Sequence, residues 1–287
     1  MRGGNDNRKF MFNFLHTFNP SPVLATIGPI HLYWYGLFIV SGILSALAVC
    51  LYLAKLYNIK TGIIIDLAFW LIIGGLIGAR VYEVFLELPY YLASPLSILK
   101  IWQGGLAIHG AIIGGLISLW LFAKKYNHNF WRLAGIISAS LPLGQAIGRF
   151  GNYFNQELFG LPTNLPWGIP INPINRPWQY ANYEYFHPAF LYESFGNFII
   201  FLILLSIHFY WIKRGQKTAC FRFPFFSYLF FYSSLRFALE FIRLDTTPII
   251  FWLRFPQIIS LLIIFLSLSY FIYNIWLKIR KNKTLDN

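Results

Sequence analysis

Four polar side chains share one face of an apolar stretch in the C-terminal part of the chain. Tyr232, Arg236 and Glu240 lie within residues 224–242 and Arg243 directly follows, so that the four stand at i, i+4, i+8 and i+11. This spacing places them on one side of a helix. A charged side chain at the centre of a membrane span costs about 2.5–3.5 kcal/mol. The set therefore indicates either an internal ion pair that holds helices together or a site for an anionic group.

Further polar residues lie near the ends of other apolar stretches, at the same predicted depth. In chain order they are Tyr35, Arg80, Tyr82, Glu83, His109, Arg149, Asn152, Asn155 and Glu157. Each alone has an ordinary explanation as an interfacial tyrosine, an i,i+3 ion pair, a cap amide or a structural histidine. Their agreement in depth favours one shared site. Because arginine stays charged and binds phosphate through paired hydrogen bonds, a phospholipid headgroup is the predicted ligand.

Several kinds of catalytic site have no support in the sequence. There is no HExxH, no GxSxG, no GxxxxGK[ST] and no carboxylate cluster of metal-binding size. The two cysteines, Cys50 and Cys220, lack metal-like spacing and are expected to fill apolar space. The sequence therefore predicts neither a metal ion nor a cofactor.

The elements that position these residues are predicted to be membrane-spanning helices. Of the 287 residues, 57% are hydrophobic and 11% are charged, whereas soluble domains carry about 25% charged residues. The predicted fold is all-α, a polytopic membrane helical bundle forming a single integral membrane domain over 1–287. Seven spans are expected, at 32–54, 64–86, 105–123, 133–148, 195–212, 224–242 and 256–277. Glycines in the third span are expected to allow close helix approach.

The distribution of basic residues predicts the orientation. Lysine and arginine concentrate in alternate connections, including Lys124 and Lys125, and in the C-terminal tail, which places the N-terminus outside and the C-terminus in the cytoplasm. The same clusters between apolar runs explain the net charge of +13 without nucleic-acid binding. The N-terminus shows no removable signal peptide. The stretch 149–193, rich in Pro, Asn and Trp, is predicted to be a periplasmic cap.

One segment carries a long and unusual motif. The sequence GRFGNYFNQELFG at 148–160 resembles the signature of the prolipoprotein diacylglyceryl transferase family, roughly GRxGNxxNxExxG. Four other stretches follow the family's order: YWYGL (33–37), GGLAIHGA (104–111), HPAFLYES (187–194) and YSSLRFALEFIR (232–243). The chain departs from many relatives at Ile108, where an aromatic residue is common, and at Ala111, where they carry glycine. The resemblance covers about residues 20 to 280.

The resemblance implies an activity. Members of this family transfer the diacylglyceryl group of phosphatidylglycerol to the lipobox cysteine of a preprolipoprotein, forming a thioether and releasing glycerol 1-phosphate. It implies a bacterial inner-membrane enzyme, expected to be monomeric, with its active site toward the periplasmic leaflet. A phospholipid transporter or flippase is the alternative, although such proteins are expected to show internal repeats, and none is found.

The resemblance also implies residue roles. His109 is the candidate base for the thiol, and Arg149 and Arg236 are expected to bind the headgroup and stabilise the leaving phosphate. Tyr35 and Tyr232 are expected to orient or assist. The remaining predicted substrate-binding residues are Asn152, Asn155, Glu157, Gly160, Glu240, Arg243 and Arg80.

Overall fold

The structure is a computed structural model that describes residues 14–215, 221–245 and 247–283. The predictions made for Cys220 and for the first 13 residues lie outside the described residues. Seven helices of at least 18 residues occur in the described part of the chain: α1 (Trp34–Leu56), α2 (Thr61–Leu86), α4 (Ile108–Lys125), α5 (Phe130–Asn155), α6 (Ala189–Lys213), α7 (Arg222–Leu239) and α8 (Phe255–Lys283). A short helix, α3 (Leu88–Ala93), follows α2.

Five of these helices are long and apolar enough to cross a membrane: α1, α2, α4, α6 and α8. Helices also occupy the predicted fourth and sixth spans, but α5 and α7 do not meet the same criterion. Both carry the polar residues singled out above, and α5 contains Pro142. The helix continues beyond residue 148, where the fourth span was predicted to end, because α5 extends to Asn155 and includes Arg149 and Asn152.

The all-α prediction missed three short antiparallel strand pairs. They are β1 (Val23–Ile27) with β2 (Ile30–Tyr33), β3 (Ile169–Pro170) with β4 (Tyr185–Phe186), and β5 (Ile249–Ile250) with β6 (Leu253–Arg254). The β5–β6 turn has positive φ at Phe251 (49°) and Trp252 (66°). Two consecutive positive φ values match the hairpin turn whose twist suits paired strands. Strands this short lack the alternation by which a sequence predicts them.

The chain divides into two compact units, each described by itself. One unit comprises Met1–Ala46, Ala139–Ile207 and Phe226–Asn287, and the other comprises Leu47–Ser138 and His208–Phe225. In the second unit, fully buried Tyr57 shares a hydrogen bond of 2.8 Å with His208. Its α2 and α4 pack backbone to backbone, because a Cβ at Gly78 would lie 2.8 Å from the Cα of Gly114. The close approach expected of the glycine-rich span is confirmed here.

The segment between α5 and α6 has a hydrophobic core of its own within the first unit. That core is formed by buried Tyr153, Phe159, Ile169, Ile171, Phe186 and Phe190. The side chain of Gln156 ties the segment together, since its Oε1 accepts from the Asn172 amide at 2.8 Å and its Nε2 donates to Asn19 at 2.5 Å. These contacts hold the segment as an ordered layer beside the ends of α5 and α6.

Candidate active site

Arg149 lies near the C-terminal end of α5, and its guanidinium interacts with three side chains, those of Glu193, Asn152 and Tyr232. Nη2 donates to Glu193 Oε1 at 2.7 Å, and Nη1 donates to Asn152 Oδ1 at 3.2 Å. The Asn152 amide in turn donates to Glu157 Oε1 at 2.7 Å. Arg149 and Asn152 are three residues apart in α5, so their side chains are neighbours on one face of the helix. The structure thus brings together three residues of the signature motif.

Glu193, in the first turns of α6, links two arginines. Its Oε1 accepts from Arg149, and its Oε2 lies 3.2 Å from Arg243 Nη1. The carboxylate is 1% exposed. Arg243 also donates from Nε to Asp245 Oδ2 at 2.6 Å. Sequence reasoning missed Glu193, although it is a carboxylate at the start of an apolar span and lies within the HPAFLYES stretch.

The predicted polar face at the end of α7 forms a second network. Arg236 Nη2 lies 2.9 Å from Glu240 Oε2, and Arg254 Nε lies 3.2 Å from Glu240 Oε1. The helix ends at Leu239, but the Arg243 amide still donates to the Leu239 carbonyl at 3.2 Å, which preserves the helical spacing. The predicted proximity of Arg236 and Glu240 is therefore confirmed.

Arg254, at the end of β6, was also missed by sequence reasoning. Its Nη1 donates to the backbone carbonyls of Glu240 (2.9 Å) and Arg243 (2.7 Å), and its Nη2 donates to the Asp245 carbonyl. Its Nε also donates to Thr247 Oγ1 at 3.0 Å. With its donors used in this way, Arg254 holds the segment after α7. A cavity of about 330 Å³ lies beside Arg254 and is lined in part by Glu240, Arg243 and Trp252.

The arginines differ in how much of each remains available to a ligand. The side chains of Arg149 and Arg236 are 24% and 20% exposed, whereas that of Arg243 is 6% exposed. Among the described residues, Arg236 Nη1 has no hydrogen-bond partner although it is buried. The side chains of Arg149 and Arg236 are therefore more exposed than that of Arg243, which holds Glu193 and Asp245.

Tyr35, at the start of α1, packs on the signature motif. A Cβ at Gly151 would lie 2.8 Å from Tyr35 Cδ2, so glycine permits this contact. Tyr35 is close enough to Arg149 and Glu157 to interact electrostatically with both. Asn155 reaches Glu157 only at 3.4 Å. The structure therefore places Tyr35 with the Arg149 group and leaves Asn155 at its edge.

Gly160 has a backbone role. A Cβ there would lie 2.7 Å from the Ile242 carbonyl oxygen and 3.0 Å from His187 Cβ. Its amide donates to the His187 carbonyl at 2.8 Å, and the next amide, of Leu161, donates to Ile242 at 2.8 Å. Glycine at this position lets the segment after α5 approach the segment that carries Arg243.

Arg80, His109, Tyr82 and Glu83 belong to the second unit. The Arg80 guanidinium donates to backbone carbonyls of Ile98 (2.9 Å), Gly104 (2.7 Å), Gly105 (2.7 Å) and Ser97 (2.5 Å). All three of its nitrogens are thus engaged with the loop before α4. The Arg80 guanidinium thus holds this loop, and its contact with substrate stays a prediction. Among the described residues, no ion pair joins Arg80 to Glu83.

His109 is the second residue of α4 and is exposed. Its ring centroid lies 6.0 Å from that of Tyr82. The following residue, Gly110, takes part in the close contact with α2. This contact fixes the start of α4 and with it the backbone position of His109. Within the described ranges, no group of three or more His, Cys, Asp and Glu side chains is arranged to hold a metal ion.

The fold and site define a class of protein. Five helices can cross a membrane, and Arg149, Arg236 and Arg243 are set against buried carboxylates where α5, α6 and α7 meet the cap. Such a network offers fixed positive charge to an anionic lipid headgroup. The protein is therefore a helical membrane protein with a group of arginines held by buried carboxylates.

Comparisons with known proteins identify the family. The model of the family described as prolipoprotein diacylglyceryl transferase matches residues 22–273. Three similar proteins are each named phosphatidylglycerol–prolipoprotein diacylglyceryl transferase. That of Trichormus variabilis is 43% identical over 95% of both chains, that of a Nostoc species is 42% identical over 95% of this chain and 94% of the relative, and that of a Synechocystis species is 41% identical over 87% of both. The chain belongs to the prolipoprotein diacylglyceryl transferase family.

Proposed function

We propose that this protein transfers the diacylglyceryl group of phosphatidylglycerol to the lipobox cysteine thiol of a preprolipoprotein. The products are a thioether-linked lipoprotein precursor and glycerol 1-phosphate. This is the reaction after which its relatives are named, and those names support a transferase over the transporter or flippase considered above.

The observation that carries the proposal is the pair of reachable arginines. Arg149 and Arg236 are each held by a buried carboxylate, Glu193 or Glu240, and their side chains remain 24% and 20% exposed. Such fixation keeps both guanidiniums aimed at a phosphodiester without reorganisation during the reaction. Because arginine donates in a planar fork, two of them can engage several phosphate oxygens at once.

The chemistry requires one bond to form and one to break. The thiolate sulfur attacks the glyceryl carbon that bears the phosphate, a C–S bond forms, and the C–O bond to phosphate breaks with its electron pair on oxygen. The thiol proton leaves to a base and is finally taken up by the phosphate product or by solvent. Negative charge therefore grows on the phosphate, where Arg149 and Arg236 stabilise it, with about 10²–10³ in rate for each well-placed donor.

His109 is the base in this proposal. The assignment is supported by its place in the family-like GGLAIHGA stretch and by its exposure at the start of α4. A histidine has a pKa suited to accepting a proton near neutral pH, which typically contributes about 10²–10⁴ in rate. His109→Gln is expected to lower kcat at neutral pH and to recover in part at high pH, where the thiol ionises unaided. Near-normal turnover of His109→Gln at pH 7 would remove it from this role.

The remaining assignments concern location. We place the protein in the bacterial inner membrane as a monomer with seven spans, including α5 and α7. Its N-terminus lies outside, and its active site and its 149–193 cap face the periplasm. Lys124, Lys125 and the basic tail support this orientation through the preference of positive charge for the cytoplasmic side. The whole chain, 1–287, is proposed to act as one integral membrane domain.

The test is a direct assay of transfer. Purified protein in detergent is mixed with phosphatidylglycerol and a synthetic lipobox peptide, and mass spectrometry detects the added diacylglyceryl mass. The wild-type protein is expected to produce it, and Arg149→Ala is expected to abolish it. A peptide with Ser in place of the lipobox Cys is expected to gain no mass.

Matched controls make the outcome decisive. Arg214→Ala removes an exposed arginine that directly follows the C-terminal end of α6 and lies over Tyr210, and it is expected to leave the rate unchanged. A folded wild-type protein that binds phosphatidylglycerol and adds no mass to the peptide would overturn the transferase proposal and restore the transporter alternative.

A further inference from the structure

A second polar group lies one helical turn deeper in α5, α6 and α7 than the Arg149 group. Gln145 precedes Arg149 by four residues, Asn197 follows Glu193 by four, and Tyr228 precedes Tyr232 by four. Residues four apart lie above one another on a helix, about 5.4 Å along its axis. Counting from the first residue of α6, Asn197 lies further into the helix than Glu193. We call Gln145, Asn197 and Tyr228 the inner polar layer.

The helices that carry this layer are in close contact at its level. Ser194 Oγ donates to the Ala146 carbonyl at 2.7 Å, which joins α6 to α5. A Cβ at Gly196 would lie 2.6 Å from Leu235 Cδ1, which sets α6 against α7. The Gln145 amide donates to Tyr228 Oη at 2.9 Å, and the rings of Tyr228 and Tyr232 stack with centroids 5.8 Å apart. The layer therefore connects with the arginine site above it through Tyr232.

The layer is neutral and incompletely paired. Asn197 is 0% exposed, and neither its Oδ1 nor its Nδ2 has a hydrogen-bond partner among the described residues. Gln145 Oε1 is likewise buried without a partner in that part of the chain. A buried amide without partners is costly, and packed proteins rarely retain one. In this packing the amide atoms of Asn197 and Gln145 already lack hydrogen-bond partners among the described residues. Admitting a polar group between the helices at this level therefore costs less free energy than opening an apolar core.

The unpaired atoms specify the chemistry of that group. Asn197 offers N–H donors, and Asn197 Oδ1 and Gln145 Oε1 offer acceptors. A ligand with both donors and acceptors and no charge meets this need, and a hydroxyl group is the smallest such ligand. An ester carbonyl has no donor, and an ammonium headgroup would bring an unpaired charge into the layer. A pair of neutral hydroxyls is therefore the best match.

We infer that the inner polar layer binds the hydroxyl groups of the headgroup glycerol of phosphatidylglycerol and makes the enzyme selective for that headgroup. This inference rests on the proposed function. Arg149 and Arg236 bind phosphate, which all phospholipids share, so they cannot select among them. In the proposed arrangement, the phosphate is at these arginines, the acyl chains extend to lipid, and the headgroup glycerol on the other ester oxygen enters the bundle. The complete burial of Asn197 favours this small diol over a peptide segment.

The test compares two lipids and two variants. Phosphatidylglycerol and phosphatidylpropanol, which has the same headgroup length and no hydroxyls, are supplied to the wild type and to Asn197→Leu, which is similar in size and apolar. The wild type is expected to prefer phosphatidylglycerol by about 10⁴ in kcat/KM, since a site built to hydrogen-bond a hydroxyl rejects the analogue that lacks it. Asn197→Leu is expected to lose most of that preference by losing rate with phosphatidylglycerol alone. Ser206→Ala, an exposed position in α6 whose hydroxyl bonds only to Leu202 O, is the control and should keep the wild-type ratio.

A binding measurement separates this inference from the proposed function. Native mass spectrometry of wild type and Asn197→Leu records how much of each lipid is retained. A preference for phosphatidylglycerol that Asn197→Leu removes supports the inference even if no transfer is observed. Active protein in which Asn197→Leu keeps the wild-type lipid ratio overturns the inference and leaves the transferase intact. Equal losses with both lipids and a raised KM for the lipobox peptide would also overturn it and assign the layer to the protein substrate.

Discussion

Glu193 and Arg149 face each other across α6 and α5, with Glu193 Oε1 2.7 Å from Arg149 Nη2. The carboxylate is almost wholly buried and uses its other oxygen to hold Arg243. One acidic side chain thus sets the geometry of the signature arginine and connects it to the segment after α7. Removing such a partner leaves charge buried and unpaired, which costs more than the pair itself contributes.

Glu193→Gln tests this arrangement directly. The amide retains the shape of the side chain and loses its charge, so Arg149 and Arg243 lose a shared counter-ion. We expect a loss of about 3 kcal/mol in stability and a fall of about 10²-fold in kcat/KM. Thermal unfolding in detergent and the transfer assay measure the two effects. Glu184→Gln, at an exposed position of the cap, is the matched control and should change neither. Unchanged turnover in Glu193→Gln would show that Arg149 needs no such support.

Arg236 and Arg243 are expected to respond differently to the same substitution. Arg236→Lys keeps the charge and loses the planar fork on a guanidinium that is open to substrate, so kcat/KM should fall by about 10²-fold with little change in melting temperature. Arg243→Lys instead disturbs Glu193 and Asp245 and should lower the melting temperature clearly. The opposite result, in which Arg243→Lys lowers kcat/KM and Arg236→Lys lowers the melting temperature, would contradict the assignment.

Gly160→Ala should destabilise the protein through a steric conflict. The added methyl would lie 2.7 Å from the Ile242 carbonyl oxygen, and overpacking of this kind costs about 1–3 kcal/mol. Gly115→Ala is the control, because nothing lies within 4 Å of its Cβ position. A helical glycine replaced by alanine without conflict gains roughly 0.5–1 kcal/mol. Thermal unfolding should therefore move in opposite directions for the two variants, and equal shifts would refute the contact.

Arg80→Lys should loosen the loop before α4. Lysine cannot reproduce four hydrogen bonds to the carbonyls of residues 97, 98, 104 and 105, and each charge-assisted bond lost costs about 1.5–3 kcal/mol. Hydrogen exchange should accelerate in residues 97–107, and activity should fall because His109 follows this loop. Lys100→Ala, within the same loop, should leave exchange there nearly unchanged. Normal protection in Arg80→Lys together with raised KM for lipid would contradict the loop role and support the predicted contact of Arg80 with substrate.

Stability of the cap is expected to depend on the protonation of His187. Burial lowers the pKa of His187, and its Nδ1 lies 3.1 Å from Tyr192 Oη, which accepts from Trp167 Nε1 at 2.7 Å. The Tyr192 hydroxyl can thus donate to a neutral His187. Since the folded state favours the neutral form, its contribution is present above the ordinary pKa and is lost as pH falls through the lowered one. Melting temperature measured from pH 7.5 to 5 should fall less in His187→Gln than in wild type. Identical slopes would exclude this residue as the cause.

Much of the local architecture follows from the sequence because it depends on short-range periodicity. The spacing of Tyr232, Arg236 and Glu240 placed them on one helical face, and the Arg236–Glu240 pair is confirmed. Five membrane-length helices occur where apolar runs predicted them. The signature residues Arg149, Asn152 and Glu157 were predicted as neighbours and form one hydrogen-bonded group. His109 as the base remains a prediction.

Only the tertiary structure decided which partner each charge takes. Glu193 lies 44 residues from Arg149 and 50 from Arg243, and no periodicity in the sequence links positions so far apart. Arg254 and Arg80 look like available cations in the sequence, yet folding brings backbone carbonyls to both, and these accept hydrogen bonds from their guanidiniums. An arginine's role depends on how many of its donors the fold already uses, and that number is set by long-range packing.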